Sequence, residues 1–430
     1  MMNKLRGLYE PKTLSLMKNN GCEADRHARC CTLTDGDAAH RRGLYEPKTL
    51  SLMKNNGCEE DSHVRCCTLT DGDAARRRGL YFHVPFCLSK CPYCDFYSVR
   101  YSRETAGHYA DAVIRNIRHY GGCFDTVYFG GGTPILLYEH IGRILEAADI
   151  AEDPEITVEA NPCMAEPRVL ETLRKAGVNR LSFGVQSMMP EELRFLGRRH
   201  TVRQAESALQ NARKAGFTNI SADMMIGLAE QDEDSISGTA GRLAELGADH
   251  ISAYILKVED GTPFAERELH LPDEDRTAEL YLHTVGELER LGFGQYEISN
   301  FTRPGFESRH NLKYWRCEEY LGIGAAAHSY IDGKRFRTDP DIDGFVSSPV
   351  QTVTITDENA GGWEEYAMLR LRLAEGLAYA EAAGFGREAQ LRTNAAKLPK
   401  SLVQCTESGV RLTAEGFLVS NAVIGKIVFG

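Results

Sequence analysis

The stretch GLYFHVPFCLSKCPYCDFYS, residues 79–98, governs the interpretation of the whole chain. It opens with an apolar, β-prone run over 80–85, which predicts a strand. Pro85 and Pro92 then break regular structure, so Cys87, Cys91 and Cys94 fall on a loop after that strand. Their spacing is Cys-x3-Cys-x2-Cys. Three thiolates on one short loop can wrap one corner of an iron–sulfur cubane and leave one iron without a protein ligand. An open coordination position is what a metal site needs to bind and activate a second molecule. A cluster that only passes electrons is usually closed by a fourth cysteine, and iron–sulfur chemistry is among the few protein routes to radicals. The alternatives are a zinc knuckle and three unrelated thiols. Zinc wants a fourth ligand, and the nearest residues, His83 and Asp95, are poorly spaced to supply it.

The chain has 430 residues, room for two or three domains of ~150 residues each. Its formal net charge of −11 argues against nucleic acid as a partner, because phosphate binding needs clustered cations. No apolar run approaches the ~20 residues that span a bilayer. The opening MMNKLRGLYEPK holds no apolar signal core, so the expected location is the cytoplasm. Thirteen cysteines, an odd number in a chain this long, suit a reducing compartment with some thiols serving as metal ligands.

Those cysteines fall into two groups because residues 7–42 and 43–78 are a tandem duplication: GLYEPKTLSLMKNNGCE at 7–23 recurs unchanged at 43–59. Each copy carries Cys-x4-His-x2-Cys-Cys, as Cys22, His27, Cys30, Cys31 and as Cys58, His63, Cys66, Cys67. Adjacent cysteines seldom chelate one ion tetrahedrally, and solenoids need about three repeats with a buried apolar face. Residues 1–78 are therefore expected to be a poorly ordered duplication rather than a zinc module.

Downstream the chain alternates short apolar strands with amphipathic helices. Strands are expected at 126–129, 155–159, 180–184, 219–224 and 250–256, and helices at 104–120, 138–148, 167–175, 202–215 and 234–246. This βα rhythm marks a parallel sheet or barrel, where function gathers at the C-terminal ends of strands. Gly130, Gly131, Gly132 and Thr133 follow the second strand, and consecutive glycines let backbone amides approach a ligand, although such a run is often only a turn. Glu159 ends a strand, where a carboxylate can accept bonds from ribose hydroxyls or a cationic amine. Further on, RHNLKYW at 309–315 reads as a helix with His310 and Tyr314 on one face and Asn311 and Trp315 on the next. An imidazole beside aromatic planes suits an axial ligand to heme; the alternative is a core histidine with packing aromatics.

The CxxxCxxC loop after a strand resembles the radical S-adenosylmethionine (SAM) signature. The wider run YFHVPFCLSKCPYCDFYS is similar to the branch that contains oxygen-independent coproporphyrinogen III oxidase and the HemW heme chaperones. The resemblance covers residue 79 to the end. It implies an α/β partial (β/α)6 barrel over 79–300, a family region over 301–363 and a small winged-helix-like C-terminal α+β domain over 364–430. It also implies a 4Fe–4S cluster on Cys87, Cys91 and Cys94. SAM would be contacted by Tyr81, by the GGGTP motif with Gly131, Gly132 and Thr133, and by Glu159, Gln186, Arg198 and Asp223. No catalytic residue is assigned.

Two features lean toward the chaperone side. The oxidase has a fourth cysteine two residues beyond its third, where this chain has Phe96. The stretch at 309–315 also matches the HNxxYW motif of HemW, which implies heme held by His310, Asn311, Tyr314 and Trp315. The partners implied are heme and an apo-haemoprotein client, membrane-associated respiratory proteins among them, for a monomer or homodimer. The alternative is oxidative decarboxylation of a porphyrinogen by a 5′-deoxyadenosyl radical. The chain departs from the family pattern at two points. Ala229-Glu230 stands where Pro-Gly is usual, and Ala326 where glycine is usual; at a left-handed position an alanine costs about 1 kcal/mol.

Overall fold

The computed structural model describes residues 77–430; the duplicated segment and its cysteine–histidine sets lie outside the described residues except for Arg77 and Arg78. Six strands lie side by side and parallel: β1 (Arg78–Val84), β2 (Cys123–Gly131), β3 (Asp149–Ala160), β4 (Arg180–Gln186), β5 (Asn219–Ile226) and β6 (His250–Ile255). Helices α1 (Arg103–Tyr120), α2 (Tyr138–Glu146), α3 (Pro167–Lys175), α4 (Val202–Lys214) and α5 (Glu233–Glu245) carry the chain back between them. This is the mixed α/β fold with a parallel strand series that the sequence pattern predicts. Every expected strand and helix is present, and the strands expected at 126–129 and 155–159 are much longer than predicted.

Strand alternation sorts the side chains onto two faces. Leu80, Phe82, Val127, Phe129, Leu181 and Phe183 face the helices and form the apolar core. Their neighbours Tyr81, Thr126, Tyr128, Glu159, Arg180 and Asp223 face inward, so the interior of the half-barrel is a polar chamber rather than a second oily layer. Arg180 is the largest fully buried side chain of the described residues, at 1% exposure.

The sheet runs on past the six strands. After α6 (Glu274–Arg290) come β7 (Gly294–Glu297) and β8 (Asn300–Thr302); β8 pairs antiparallel with β6, and β7 pairs antiparallel with β8 at the edge. Helix α7 (Arg309–Trp315) then leads to β9 (Tyr320–Ile323), which lies parallel to β1 with Gly79 opposite Tyr320 and Tyr81 opposite Gly322. Strands β10 (His328–Ile331), β11 (Lys334–Thr338) and β12 (Val353–Asp357) continue antiparallel, giving twelve strands in all. Such additions cover both open edges of the parallel core. They extend its inner face as well, so Tyr320 joins the wall begun by Gly79 and Tyr81.

The C-terminal region holds a three-stranded antiparallel sheet of Leu377–Ala378, Gly409–Leu412 and Val403–Cys405, followed by the helix Ser420–Phe429. This sheet and helix form the small α+β winged-helix-like region that the family resemblance implies. Backbone bonds tie this region to the β7 edge: Ile298 N donates to Arg372 O at 3.1 Å and Ala374 N to Tyr296 O at 2.9 Å.

Candidate cluster and cofactor site at the barrel mouth

The cysteine loop is built from its base upward. Beyond β1 the two-residue strand Phe86–Cys87 pairs with Val99–Arg100, which closes the loop like a clasp. Tyr101 N donates to Cys87 O at 3.0 Å, and Cys94 N to Cys91 O at 3.1 Å. Cys87, Cys91 and Cys94 are free, half-buried thiols. Cys87 Sγ lies 3.5 Å from Thr133 Oγ1, and Cys91 Sγ accepts from the Arg198 guanidinium at 3.4 Å. Burial pushes the Cys94 thiol up, the Phe96 amide draws it back, and the Cys91 and Cys87 thiols add to the rise. All three sulfurs are thus electrostatic neighbours. Among the described residues no three His, Cys, Asp or Glu side chains converge on the position of a single ion. His83 is fixed beside the loop, with its ring nitrogens bonding Tyr81 Oη and Tyr97 O, each at 3.1 Å.

The glycine run packs tightly against the base of this loop. A Cβ on Gly132 would lie 2.7 Å from Phe86 O, and one on Gly130 would lie 2.9 Å from the Tyr81 ring. Gly131 has φ +110° and abuts the His83 ring. The glycines therefore let β2 approach β1 and the cysteine loop, which is a structural reason for the run distinct from ligand approach. Gly131 N donates to Glu159 Oε2 at 3.2 Å, and Tyr128 Oη donates to Glu159 Oε1 at 2.8 Å.

Glu159 and Asp223 lie two strands apart on the inner face and are electrostatic neighbours. Burial first, then the charge of Asp223, raises the Glu159 carboxyl to about 7. Burial raises Asp223 to about 6 against opposing bonds from Ser252 and Ser182. Two carboxylates held close to neutral pH suit a cationic ligand, whose charge would favour their ionised forms. Gln186 sits nearby with φ +72°, a left-handed backbone rare outside glycine and concentrated at functional sites. Arg198 is fixed by Gly184 O at 2.6 Å and Asn161 Oδ1 at 3.1 Å, besides Cys91. Its guanidinium faces the cysteine loop.

Helix α7 forms the wall at the other end of the chamber. Ser308 caps it, and Glu155 of β3 reaches across to accept from Arg309 N at 3.1 Å and His310 N at 2.9 Å. Lys313, almost fully buried, is held by Asp125 at 3.0 Å and Glu318 at 3.1 Å. The expected split of faces is present: His310 turns inward with Tyr314, while Asn311 and Trp315 are half-exposed. His310 has no exposure, and burial pushes its imidazole down to about 3, so it is neutral. Both ring nitrogens are engaged, Nδ1 with Thr126 Oγ1 at 2.9 Å and Nε2 with Tyr314 Oη at 2.7 Å. Its ring stacks on Tyr128 at 5.3 Å and on Tyr81 at 6.4 Å. His310 and Tyr81, one of the candidate SAM contacts, therefore share one stack of rings with Tyr128.

A profile of the radical SAM superfamily matches residues 81–243. The heme chaperone HemW of Bacillus subtilis is 36% identical over 377 residues, which are 80% of this chain and 98% of that protein. The chain belongs to the HemW family of radical SAM proteins. The HemW of Lactococcus lactis is 38% identical over 266 residues, 60% of this chain and 70% of that one. Among solved structures, the coproporphyrinogen III oxidase HemN of Escherichia coli superposes with a TM-score of 0.68 at 24% identity, covering 82% of this chain and 90% of that one. That likeness concerns the fold.

Membership of a radical SAM family implies a 4Fe–4S cluster and SAM. The geometry of the cysteine loop fits a cluster: three free thiols share one loop, and the Arg198 guanidinium hydrogen-bonds one of them. Several supporting residues carry no motif of their own. Glu155, Thr126 and Tyr128 lie on strands whose existence is legible, but their bonds to His310 and Glu159 come from the closure of the sheet. Only the polar members of an otherwise apolar alternation could have pointed to them. No described helix is long and apolar enough to cross a membrane.

Proposed function

We propose that this chain is a heme chaperone that receives heme and passes it to an apo-haemoprotein client. The observation that carries the proposal is the match to HemW over 98% of the Bacillus subtilis chaperone. Phe96 in place of the oxidase's fourth cysteine supports the same side; it is exposed at the loop edge. In this proposal Cys87, Cys91 and Cys94 hold the cluster, which supplies one iron open to SAM. Tyr81, Gly131, Gly132, Thr133, Glu159, Gln186, Arg198 and Asp223 form the SAM site, with Glu159 and Asp223 available to a cationic group. His310, Asn311, Tyr314 and Trp315 form the heme site. His310 Nε2 must then exchange Tyr314 for iron, so heme uptake requires α7 to loosen from the chamber wall.

The test is anaerobic reconstitution of the full chain, followed by hemin titration. Heme binding is expected as a Soret band, and iron–sulfur absorbance is expected to persist when His310 is replaced by Gln. Turnover of coproporphyrinogen III to a porphyrinogen product would instead favour the oxidase.

A further inference from the structure

We propose that His328 and Arg337 form a carboxylate-recognition site on the inner face of the sheet extension, taking a propionate of the porphyrin cargo. This rests on the heme-chaperone proposal and adds a second anchor to it. The two residues are direct cross-strand partners of β10 and β11. One register step away, Tyr330 pairs with Arg335 on the same strands and with Tyr320 of β9. Side chains two residues apart along a strand share a face, so His328, Tyr330, Arg335 and Arg337 lie on the face that Tyr320 continues from the chamber.

The two arginines of β11 differ in one respect. Arg335 is satisfied by Glu365 at 2.6 Å and Tyr320 Oη at 3.3 Å. The Arg337 side chain has no hydrogen bond or ion pair among the described residues, and its Nε is buried without a partner. Neither ring nitrogen of His328 bonds a described residue. The nearest acid on that strand line, Asp339, is engaged with Thr354 Oγ1 at 3.2 Å. A buried Nε with no partner is costly, and the half-buried planar fork of donors that carries it matches a carboxylate. The neutral imidazole opposite, kept neutral chiefly by burial and then by Arg337, adds one further N–H.

The position fits the cargo. Tyr314 of the heme motif packs edge-on against Tyr320, with ring centres 4.5 Å apart. From Tyr320 the site lies two strands over and one register step along, on the order of 10 Å, the scale of a porphyrin with its side chains. His328 also neighbours His83, which touches Gly131 and bonds the cysteine loop at Tyr97. A macrocycle anchored by Arg337 would therefore lie between α7 and the cysteine loop.

The full-length protein and its Arg337→Gln and His328→Asn variants are titrated with hemin, with hemin dimethyl ester, whose propionates carry no charge, and with SAM. Arg337→Gln is expected to weaken hemin binding by ~10-fold or more while leaving the diester unchanged, and His328→Asn to act the same way by a smaller factor. Arg337→Lys should recover part of the loss. An equal loss for hemin and diester, or no loss, overturns the site while leaving the chaperone proposal intact. Weakened SAM binding in Arg337→Gln overturns the porphyrin assignment and gives the carboxylate to SAM. A wild-type chain that binds neither porphyrin removes the chaperone proposal and this site with it.

Discussion

Replacing Tyr314 by Phe separates the two demands on His310. In the folded chain the Tyr314 hydroxyl lies 2.7 Å from His310 Nε2, and the imidazole has no exposure. That nitrogen can take iron only after it has released Tyr314. A net hydrogen bond contributes ~0.5–1.5 kcal/mol, so the bonded state outweighs the released one by ~2–13-fold. Apparent heme affinity falls by the same factor, because only the released fraction is competent. Tyr314→Phe keeps the ring that packs on Tyr320 at 4.5 Å but removes the competing hydroxyl. Heme should then bind ~2–13-fold more tightly, although the apo-protein loses ~1–2 kcal/mol because a buried ring nitrogen has lost its partner. Soret titration and urea unfolding on the same preparation read the two effects. A loss of stability with unchanged or weaker heme affinity would refute His310 Nε2 as the iron ligand.

Ala326 and Glu230 both adopt left-handed backbones, with φ +68° and +59°. Ala326→Gly and Glu230→Gly should each stabilise the chain by ~1 kcal/mol in urea unfolding, and no gain at either would contradict the strain assigned there. Gly132→Ala forces a Cβ to 2.7 Å from Phe86 O and should cost ~1–3 kcal/mol, with faster loss of the reconstituted cluster; unaltered retention would show that the glycine does not set the loop. Glu159 is held at about 7, so its carboxylate is present above that pH and lost as pH falls through it. SAM affinity measured calorimetrically should drop ~10-fold or more between pH 8 and pH 6, and in Glu159→Gln only the ~2-fold drop from Asp223, held at about 6, should remain. A flat profile in the wild type would exclude Glu159 as the cationic contact.

The parallel strands were legible because their outer face repeats apolar residues at a period of two, as in Leu80 and Phe82 or Leu181 and Phe183, with helices of clear amphipathic period between them. The cysteine loop was legible from three residues and two prolines. Strand β9 was not, because YLGI is four residues long and gains its place only by pairing with Gly79–Phe82, more than 200 positions earlier. The ring stack of Tyr81, Tyr128 and His310 escaped for the same reason: its members meet only when α7 is docked by Glu155. The two departures from the family pattern were informative, since both Ala326 and Glu230 fall where the backbone favours glycine. Arg180, Thr126 and Arg337 carried no signal beyond being polar in strand sequence, and their meaning comes from the face they share.

The central claim is that this chain binds heme as cargo beside a radical SAM site. Anaerobic reconstitution followed by hemin titration tests it most directly. A stoichiometric Soret band that coexists with iron–sulfur absorbance, and no porphyrinogen product when coproporphyrinogen III and SAM are supplied, is the expected result. A chain that carries the cluster, shows no Soret band with hemin and converts coproporphyrinogen III would contradict it.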